Sequence, residues 1–527
     1  MAEKFDVIIA GGGHNGLITA CYLAKAGVSV CVVEQGDKIG GGTKTGELAA
    51  PGFLSDLCSV SHSMIQANPV IRDDELQLKA KFGLQYLNPD KITAMIFDDG
   101  RVLEFYTDLD RTCKSIAQFS PHDADAYRRF CNEVFQTLDM LAMGMFSVPP
   151  NVGVQAAMMD SNPVGQELMR AQSISAFDLI NEWFENDLIK IALARYASES
   201  MTNPFDNGTG FGFYIILPFM HKFGSGIPVG GSGALAESLA RCLEHHGGVI
   251  KLNSAVKEFI HNGTEVGGVL LTSGEEIIAS KAVVSTLNTK QVFPDMLPGY
   301  SLPEHFVRRV KNNKQASIRA MNVHLALHEE PKYKVGPGVD DFFWIECAHT
   351  NVQEFRQAFL DQENGIPRRD LVGYIGQHKV DPSRVPAGKS MMYLYAFMPY
   401  ELANGGAKKW DEVGEEVAKG FVEDLRKVTT NMEPDNIIGM AWRTPLDIER
   451  QNPAMIGGDI GHMGPYAWQL GGNRPAPGYG QYKSPVGKLY MAGGSTHPGG
   501  GVTGGSGRSA AQVLFEDLGL DFDKVIG

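Results

Sequence analysis

Residues 5–34 read FDVIIAGGGHNGLITACYLAKAGVSVCVVE, and this stretch decides the fold. Phe5 to Ala10 is a short apolar run with no alternation and several β-branched residues, the pattern of a strand covered on both faces. Leu17 to Ala26 has helical character and stops at Gly27, a residue suited to a left-handed C-cap. Val28 to Val33 is a second buried strand, closed by Glu34. Together they form one βαβ unit. Within it Gly11, Gly13 and Gly16 match the dinucleotide fingerprint: one glycine for the tight turn, one for close approach of a pyrophosphate, one for close packing of helix on strand. Glu34, 18 residues past Gly16, stands where a carboxylate accepts hydrogen bonds from the adenosine ribose. The helix N-terminus, with His14 and Asn15, faces the pyrophosphate, and His14 reads as a turn residue rather than a catalyst. A lone GxGxxG says little. Flanked by two apolar strands and followed by an acid, it is specific.

At 527 residues the chain exceeds one simple core and divides into two or three domains. A formal net charge of -14 excludes nucleic acid as a general partner, because nothing would draw the protein to a phosphate backbone. The seven cysteines are scattered with no CxxC, which is the usage of a reducing compartment and excludes a redox disulfide. MAEKFDVII enters the first strand at once and leaves no room for a signal peptide. No run of about eighteen apolar residues follows, so a cytoplasmic enzyme is expected. The histidines are isolated and support no metal site.

Gly40-Gly41-Gly42-Thr43 is a second glycine cluster, whose free N–H groups would lie along a phosphate or a flavin edge. Leu84 to Tyr106 reads as a hairpin turning at Asp98-Asp99-Gly100. Ser317 to Leu327 alternates like a half-buried strand, and Asp341 to Ile345, Asp370 to Gly376 and Ser390 to Phe397 read similarly. With 84–106 they suggest one antiparallel sheet drawn from distant parts of the chain. Asp108 to about Ser198 is mostly helical, and Phe177 to Tyr196 continues the helical pattern. Leu138 to Phe146 is methionine-rich and suits a helix core, an adaptable pocket or a membrane-docking face. Glu199 to Phe223 either lines a ligand cavity or buries a loop-rich crossover. Pro228 to Gly233, a helix at Ala234 to His246 and short strands up to Ser285 resume the first domain. Leu489 to Ala492, the glycine-rich run Gly493 to Val502 and a helix at Gly504 to Leu518 close it.

The expected fold class is therefore α/β: a Rossmann-like domain assembled from 1–75, 225–310 and 465–527. A substrate domain of mixed or antiparallel sheet occupies 76–117 and 311–464, and a helical cap or substrate channel occupies 118–224. A single nicotinamide site does not need glycine-rich turns at both ends of the chain. An extended flavin dinucleotide, with adenosine at the N-terminal unit and its ring near the closing helix, would use both.

These segments resemble flavoproteins of the phytoene desaturase and amine oxidase group. The resemblance is closest to bacterial carotenoid desaturases and to the proteins called pyridine nucleotide-disulfide oxidoreductase domain-containing protein 2. Gly11 to Gly16 with Glu34 looks like the family's FAD pyrophosphate and ribose motif. Gly40 to Thr43 looks like its GG-R-[AST] loop, although Gly42-Thr43 departs from the arginine-bearing form. Pro228 to Leu235, with Gly248 and Val256 beyond it, looks like the P-x-GG-x-x-x-L segment and the strand whose backbone holds adenine, and Gly493 to Gly504 looks like the motif beneath the flavin ring. The resemblance implies FAD as cofactor, contacted also by Gly41, Gly42, Thr43, Gly494, Gly501 and Val502. It implies an oxidoreductase that moves a hydride from a substrate C–H to flavin N5 and leaves a C=C bond in an apolar or cyclic substrate. The alternatives are an amine or alcohol oxidase and a reduced-FAD isomerase or saturase. The substrate is a small organic molecule and the electron acceptor stays open between oxygen and a quinone. Without a strongly basic amphipathic stretch the protein reads as soluble or weakly membrane-associated, and its oligomeric state is open.

Four residues are candidates for the reacting end of the cavity: His497, His462, His62 and Tyr466. His497 precedes the closing helix and either lines the cavity or bonds backbone to fix its loop. His462 lies in the glycine-rich approach to the flavin, His62 is expected over the ring, and Tyr466 is a pocket residue. Arg474 would be the pocket cation for a carboxylate substrate. No aromatic pair flanking the ring, which would favour amine chemistry, is evident in the sequence.

Overall fold

The structure, a computed structural model, describes residues 2–526. The first strand, Glu3–Ala10, runs at the centre of a seven-stranded sheet, parallel to Val30–Val33 on one side and to Glu276–Ser285 on the other. Val249–Lys251 extends the sheet beyond Val30–Val33, and Leu489–Met491 adds in parallel beside the C-terminal half of Glu276–Ser285. Val256–His261 and Val266–Leu271 join antiparallel at the other edge. Both faces are covered, which is why FDVIIA carries no alternation. Val7 and Ile9 pack towards Leu17 and Leu235, whereas Ile8 and Ala10 pack towards Phe259 and Phe293.

Residues from opposite ends of the chain meet where the helix His14–Lys25 crosses the helix Gly505–Asp517. The crossing is tight at Gly507, where a Cβ would lie 2.4 Å from the Asn15 carbonyl oxygen. The Gly507 amide donates to Asn15 Oδ1 at 3.1 Å, and Thr19 Oγ1 donates back to the Gly507 carbonyl at 2.8 Å. A bidentate pair between Arg508 and Glu75 (2.7 and 2.8 Å) ties the same helix to the 73–76 segment.

The second sheet also has seven strands: Ile437–Arg443, Arg319–Leu327, Ser390–Met398, Val372–Ile375, Trp344–Ala348, Lys91–Phe97 and Val102–Tyr106, in spatial order. Of the two expected forms, mixed or antiparallel, the sheet is mixed, because Trp344–Ala348 pairs in parallel with Lys91–Phe97. Two features depart from expectation. Arg319–Leu327 is buried on both faces, so its alternation separates two kinds of interior rather than core from solvent. Val323 and Leu325 face the helix Trp410–Val428, while Asn322 and His324 face the first domain. Ile437–Arg443, whose sequence carries no strand signal above its surroundings, forms the edge.

Helices cover the other face. Pro121–Met145 starts at Ser120, whose Oγ accepts from the Asp123 amide. The helical pattern of Phe177 to Tyr196 is divided between two helices, Ala176–Trp183 and Asp187–Ala197. The buried Asp123 carboxylate accepts the Glu185 and Asn186 amides (3.0 and 2.8 Å), and Asn186 then caps the second helix, so a local polar network overrides helix propensity. Between Glu199 and Phe223 the chain is not all loop: it contains a buried helix, Phe211–Phe223, with Pro218 inside it. In the methionine-rich stretch Leu138 and Leu141 are buried, while Met140 and Met143 are exposed.

Candidate active site

A cavity of about 620 Å³ begins at Glu34, passes the glycine loops and ends under the second sheet. The three fingerprint glycines do three different things. Gly11 turns the chain at φ +105°. Gly16 lets the helix sit on the strand, since a Cβ there would lie 2.5 Å from the Gly11 carbonyl oxygen and 3.0 Å from the Ile9 side chain. A Cβ on Gly13 meets nothing closer than Gly41 Cα at 3.9 Å, so it would occupy the cavity itself. The Asn15 and Gly16 amides in the first turn of His14–Lys25 have no protein acceptor among the described residues, and both residues line the same space.

Glu34 is buried and already holds two amides, accepting from Gly12 at 2.8 Å and from Gly36 at 2.9 Å. Its remaining acceptor capacity faces the cavity, beside Ser254 and Val256. Gly41 and Gly42 line the next section, whereas Thr43 is fully buried and bonds the Gly40 carbonyl from behind. Lys44 also lines this section, two positions after the place where the resemblance puts an arginine. The far side is the glycine run at the C-terminal motif: Gly494, Gly501 and Val502 line the cavity, and the Gly501 and Val502 amides donate to no protein acceptor among the described residues. Gly494 and Gly500 pack against the 461–462 segment, where a Cβ would fall 2.9 Å from the His462 ring and 2.3 Å from Gly461 Cα.

The four catalytic candidates separate. His462 lines the cavity. Its backbone is left-handed (φ +64°), its buried Nδ1 has no protein partner among the described residues, and burial pushes its imidazole down to about 4. His14 lines it too, also pushed down to about 4 by burial, with His462 adding to the shift. The other three candidates do not line it. His62 is fully buried behind the loop, its ring shared between Ser232 Oγ (2.7 Å) and Tyr86 OH (3.0 Å), so it braces the loop rather than covering a ring. His497 bonds the Gly144 carbonyl at 2.8 Å and anchors the end of Pro121–Met145. Tyr466 is buried, stacked on Trp468 with centroids 4.7 Å apart. Arg474 is spent on the carbonyls of Gly461, Met463 and Gly494 and holds that loop together, which removes it as a carboxylate binder.

Residues the sequence did not single out build the inner end. Tyr393 and Tyr395 alternate along Ser390–Met398, lie nearly parallel (13°) with centroids 6.3 Å apart, and line the cavity. Tyr393 OH donates to the Cys58 carbonyl, which places it beside the Gly42–Ser59 loops. Ile216, Met220, Phe343 and Ile375 complete an apolar chamber, and Glu199 is the acid in it. Only the i,i+2 tyrosines carried a signal, and it becomes legible once the strand's facing is known. The fold also brings His349 Nδ1 near Asp98 and Glu354 on the surface while Asp370 holds Nε2 at 2.9 Å, and these carboxylates raise the imidazole above its usual range.

The flavin-containing amine oxidoreductase model matches residues 16–514. The chain belongs to that family. It is 31% identical to pyridine nucleotide-disulfide oxidoreductase domain-containing protein 2 of Rattus norvegicus over 98% of this chain and 94% of the relative. It is 26% identical to a limonene dehydrogenase polypeptide of Castellaniella defragrans, covering 98% and 96%. Its fold is similar to that of cyclohexylamine oxidase from Brevibacterium oxydans, with a TM-score of 0.59 at 17% identity over 98% and 99% of the two chains. The protein is an FAD-dependent oxidoreductase with a Rossmann-like α/β fold. The cleft fits FAD: its walls are glycine where a side chain would fill it, amides point inward at both glycine motifs, and Glu34 stands at the ribose end. Among the described residues no helix is long and apolar enough to cross a membrane.

Proposed function

We propose that this flavoenzyme removes hydrogen from adjacent carbons of a small apolar substrate and leaves a C=C bond. Bound FAD supplies the hydride acceptor. The observation that carries the reading is the continuity of the cofactor cleft with the chamber walled by Ile216, Met220, Phe343, Ile375, Tyr393 and Tyr395. Such walls exclude water and orient a hydrocarbon by shape. The relative named for limonene, an apolar cyclic hydrocarbon, supports the same substrate class.

The residues divide the work. Gly501 and Val502 present amides, with the positive end of Gly505–Asp517 behind them, to any negative charge that develops at that wall. His462 and His14, both neutral at pH 7, are the histidines of the cavity wall and the candidate acceptors for the proton left when the hydride departs. Anaerobic titration with cyclic and linear alkenes and their saturated parents tests the proposal. Loss of the visible flavin band with formation of the more unsaturated product supports it, and turnover only by pre-reduced enzyme favours isomerisation. A second reading, oxidation of a C–N or C–OH bond, draws support from the Tyr393–Tyr395 pair, whose faces suit a polar or cationic carbon centre. Peroxide formed in air with amines or alcohols, and none of the alkene product, would select it. The same assay with a quinone in place of air identifies the acceptor.

A further inference from the structure

Glu199 sits on the short turn Ser198–Ser200 after the helix Asp187–Ala197, and its side chain, 14% exposed, lines the cavity. One carboxylate oxygen accepts from Arg195 Nη1, and the other has no protein donor among the described residues. Arg195 is buried and does not itself line the cavity, so its charge reaches a ligand only through the acids it holds. Its Nε and Nη2 are held by Glu346 at 3.1 and 2.8 Å, and Trp344 Nε1 donates to that same carboxylate at 2.8 Å. Two carboxylates thus share one guanidinium out of water, at the end of a chamber whose other walls are apolar.

We propose that Glu199 is the polar end of the substrate chamber and selects a neutral apolar molecule bearing one oxygen function, a hydroxyl or a carbonyl, remote from the reacting carbons. The proposal rests on the preceding reading only in taking this chamber as the substrate's place.

Charge decides among ligands. Burial raises Glu199, and burial with the neighbouring acid raises Glu346 to about 7, so near neutrality Glu346 is about half protonated and the charge left over opposite Arg195 is less than one unit. The groups facing the triad, Tyr196 and Tyr395, are phenols that burial keeps neutral. A carboxylate ligand would meet two acids whose only cation is already occupied. An ammonium ligand would have to leave water for an apolar chamber and would bind only the ionised acids, displacing any proton they hold, which calorimetry reads directly. A hydroxyl can donate to the ionised form or accept from the protonated one, and a carbonyl accepts from the protonated one. A plain hydrocarbon leaves the free Glu199 oxygen covered and unpaired.

The experiment is equilibrium titration of the oxidised holoenzyme, anaerobically, with ligands of one skeleton: limonene, carveol, carvone, carvylamine and perillic acid. Affinity is read from the shift of the flavin visible spectrum, and proton exchange by calorimetry in two buffers of different ionisation enthalpy. Carveol and carvone are expected to bind about tenfold more tightly than limonene, with no proton released. Glu199→Leu, checked for normal FAD content, should remove the preference, and Glu199→Gln should keep most of it. Tightest binding by the amine with release of about one proton, tightest binding by the acid, or an unchanged preference in Glu199→Leu would each overturn the proposal. Turnover enters separately. Glu199-dependent binding of carveol and carvone with no alkene product from any substrate would sink the desaturase reading alone. Reduction by limonene with no Glu199-dependent affinity would sink this subsite alone.

Discussion

The Gly40 amide donates to the Gly12 carbonyl at 2.8 Å, so the two glycine clusters of the N-terminal region form one continuous wall. A Cβ on Gly41 would lie 3.2 Å from Gly13 Cα, and neither position has room for a side chain that leaves the cleft intact.

Gly13→Val should therefore yield folded protein without FAD. Absorbance of the purified protein near the flavin visible band and far-UV circular dichroism check this. Flavin content equal to wild type would refute the placement of the pyrophosphate beside Gly13.

Asp56 and Arg384 form a fully buried ion pair at 2.9 Å, and Asp56 also accepts from Gln377, Thr45 and the Ser232 amide. This joins the cofactor loop to the second sheet. Asp56→Ala leaves a guanidinium buried without its counter-charge and should cost about 3–5 kcal/mol, seen as a clear fall in the thermal midpoint. Glu182→Ala removes one of two partners of the exposed Arg170 and should cost no more than about 1 kcal/mol. Equal shifts for the two variants would contradict the energetic role given to the buried pair.

His462 and His497 should behave differently. Because His462 has a left-handed backbone, Asn is the replacement that keeps the fold there. His462→Asn should slow anaerobic flavin reduction about 10²-fold and flatten its pH profile, while His497→Asn at saturating FAD should change the rate less than about threefold. Stopped-flow reduction followed at the flavin band measures both. The reverse order would move the reacting end of the cavity towards His497.

Several histidines are buried in the neutral state: burial pushes His14, His221, His462 and His497 down to about 4 and His62 and His324 to about 3. Their folded values lie below the unfolded 6.5, so the stability linked to them is complete above pH 6.5 and is lost progressively as pH falls through 4 and 3. Glu346, raised to about 7, and the raised Glu199, Asp206 and His349 work in the opposite direction, losing their contributions as pH rises, but they are four groups against six. Chemical unfolding at intervals from pH 8 to 4 should show falling stability below 6.5. His324 has no hydrogen-bond partner on either ring nitrogen among the described residues, so His324→Leu should remove about one proton from the slope, or about 1.4 kcal/mol per pH unit. An unchanged slope in that variant would mean His324 is charged in the folded protein.

By itself the sequence determined the βαβ unit, its glycine roles, the return of the chain at 228–285 and 489–518, and the cofactor. Those are local signals: apolar runs without alternation, turn glycines and an acid at fixed offset are written in contiguous residues. Tertiary structure alone decided which side chains meet at the inner end of the cavity. Glu199, Arg195 and Glu346 come from a turn, a helix and a strand, and Tyr393 faces the cofactor loops only because Ser390–Met398 pairs in one register with Arg319–Leu327. A shift of one residue would turn both tyrosines to the opposite face. His62 and His497 lie near the right motifs in sequence yet point away, because their ring nitrogens bond Ser232 and Gly144 behind the wall that the glycines open.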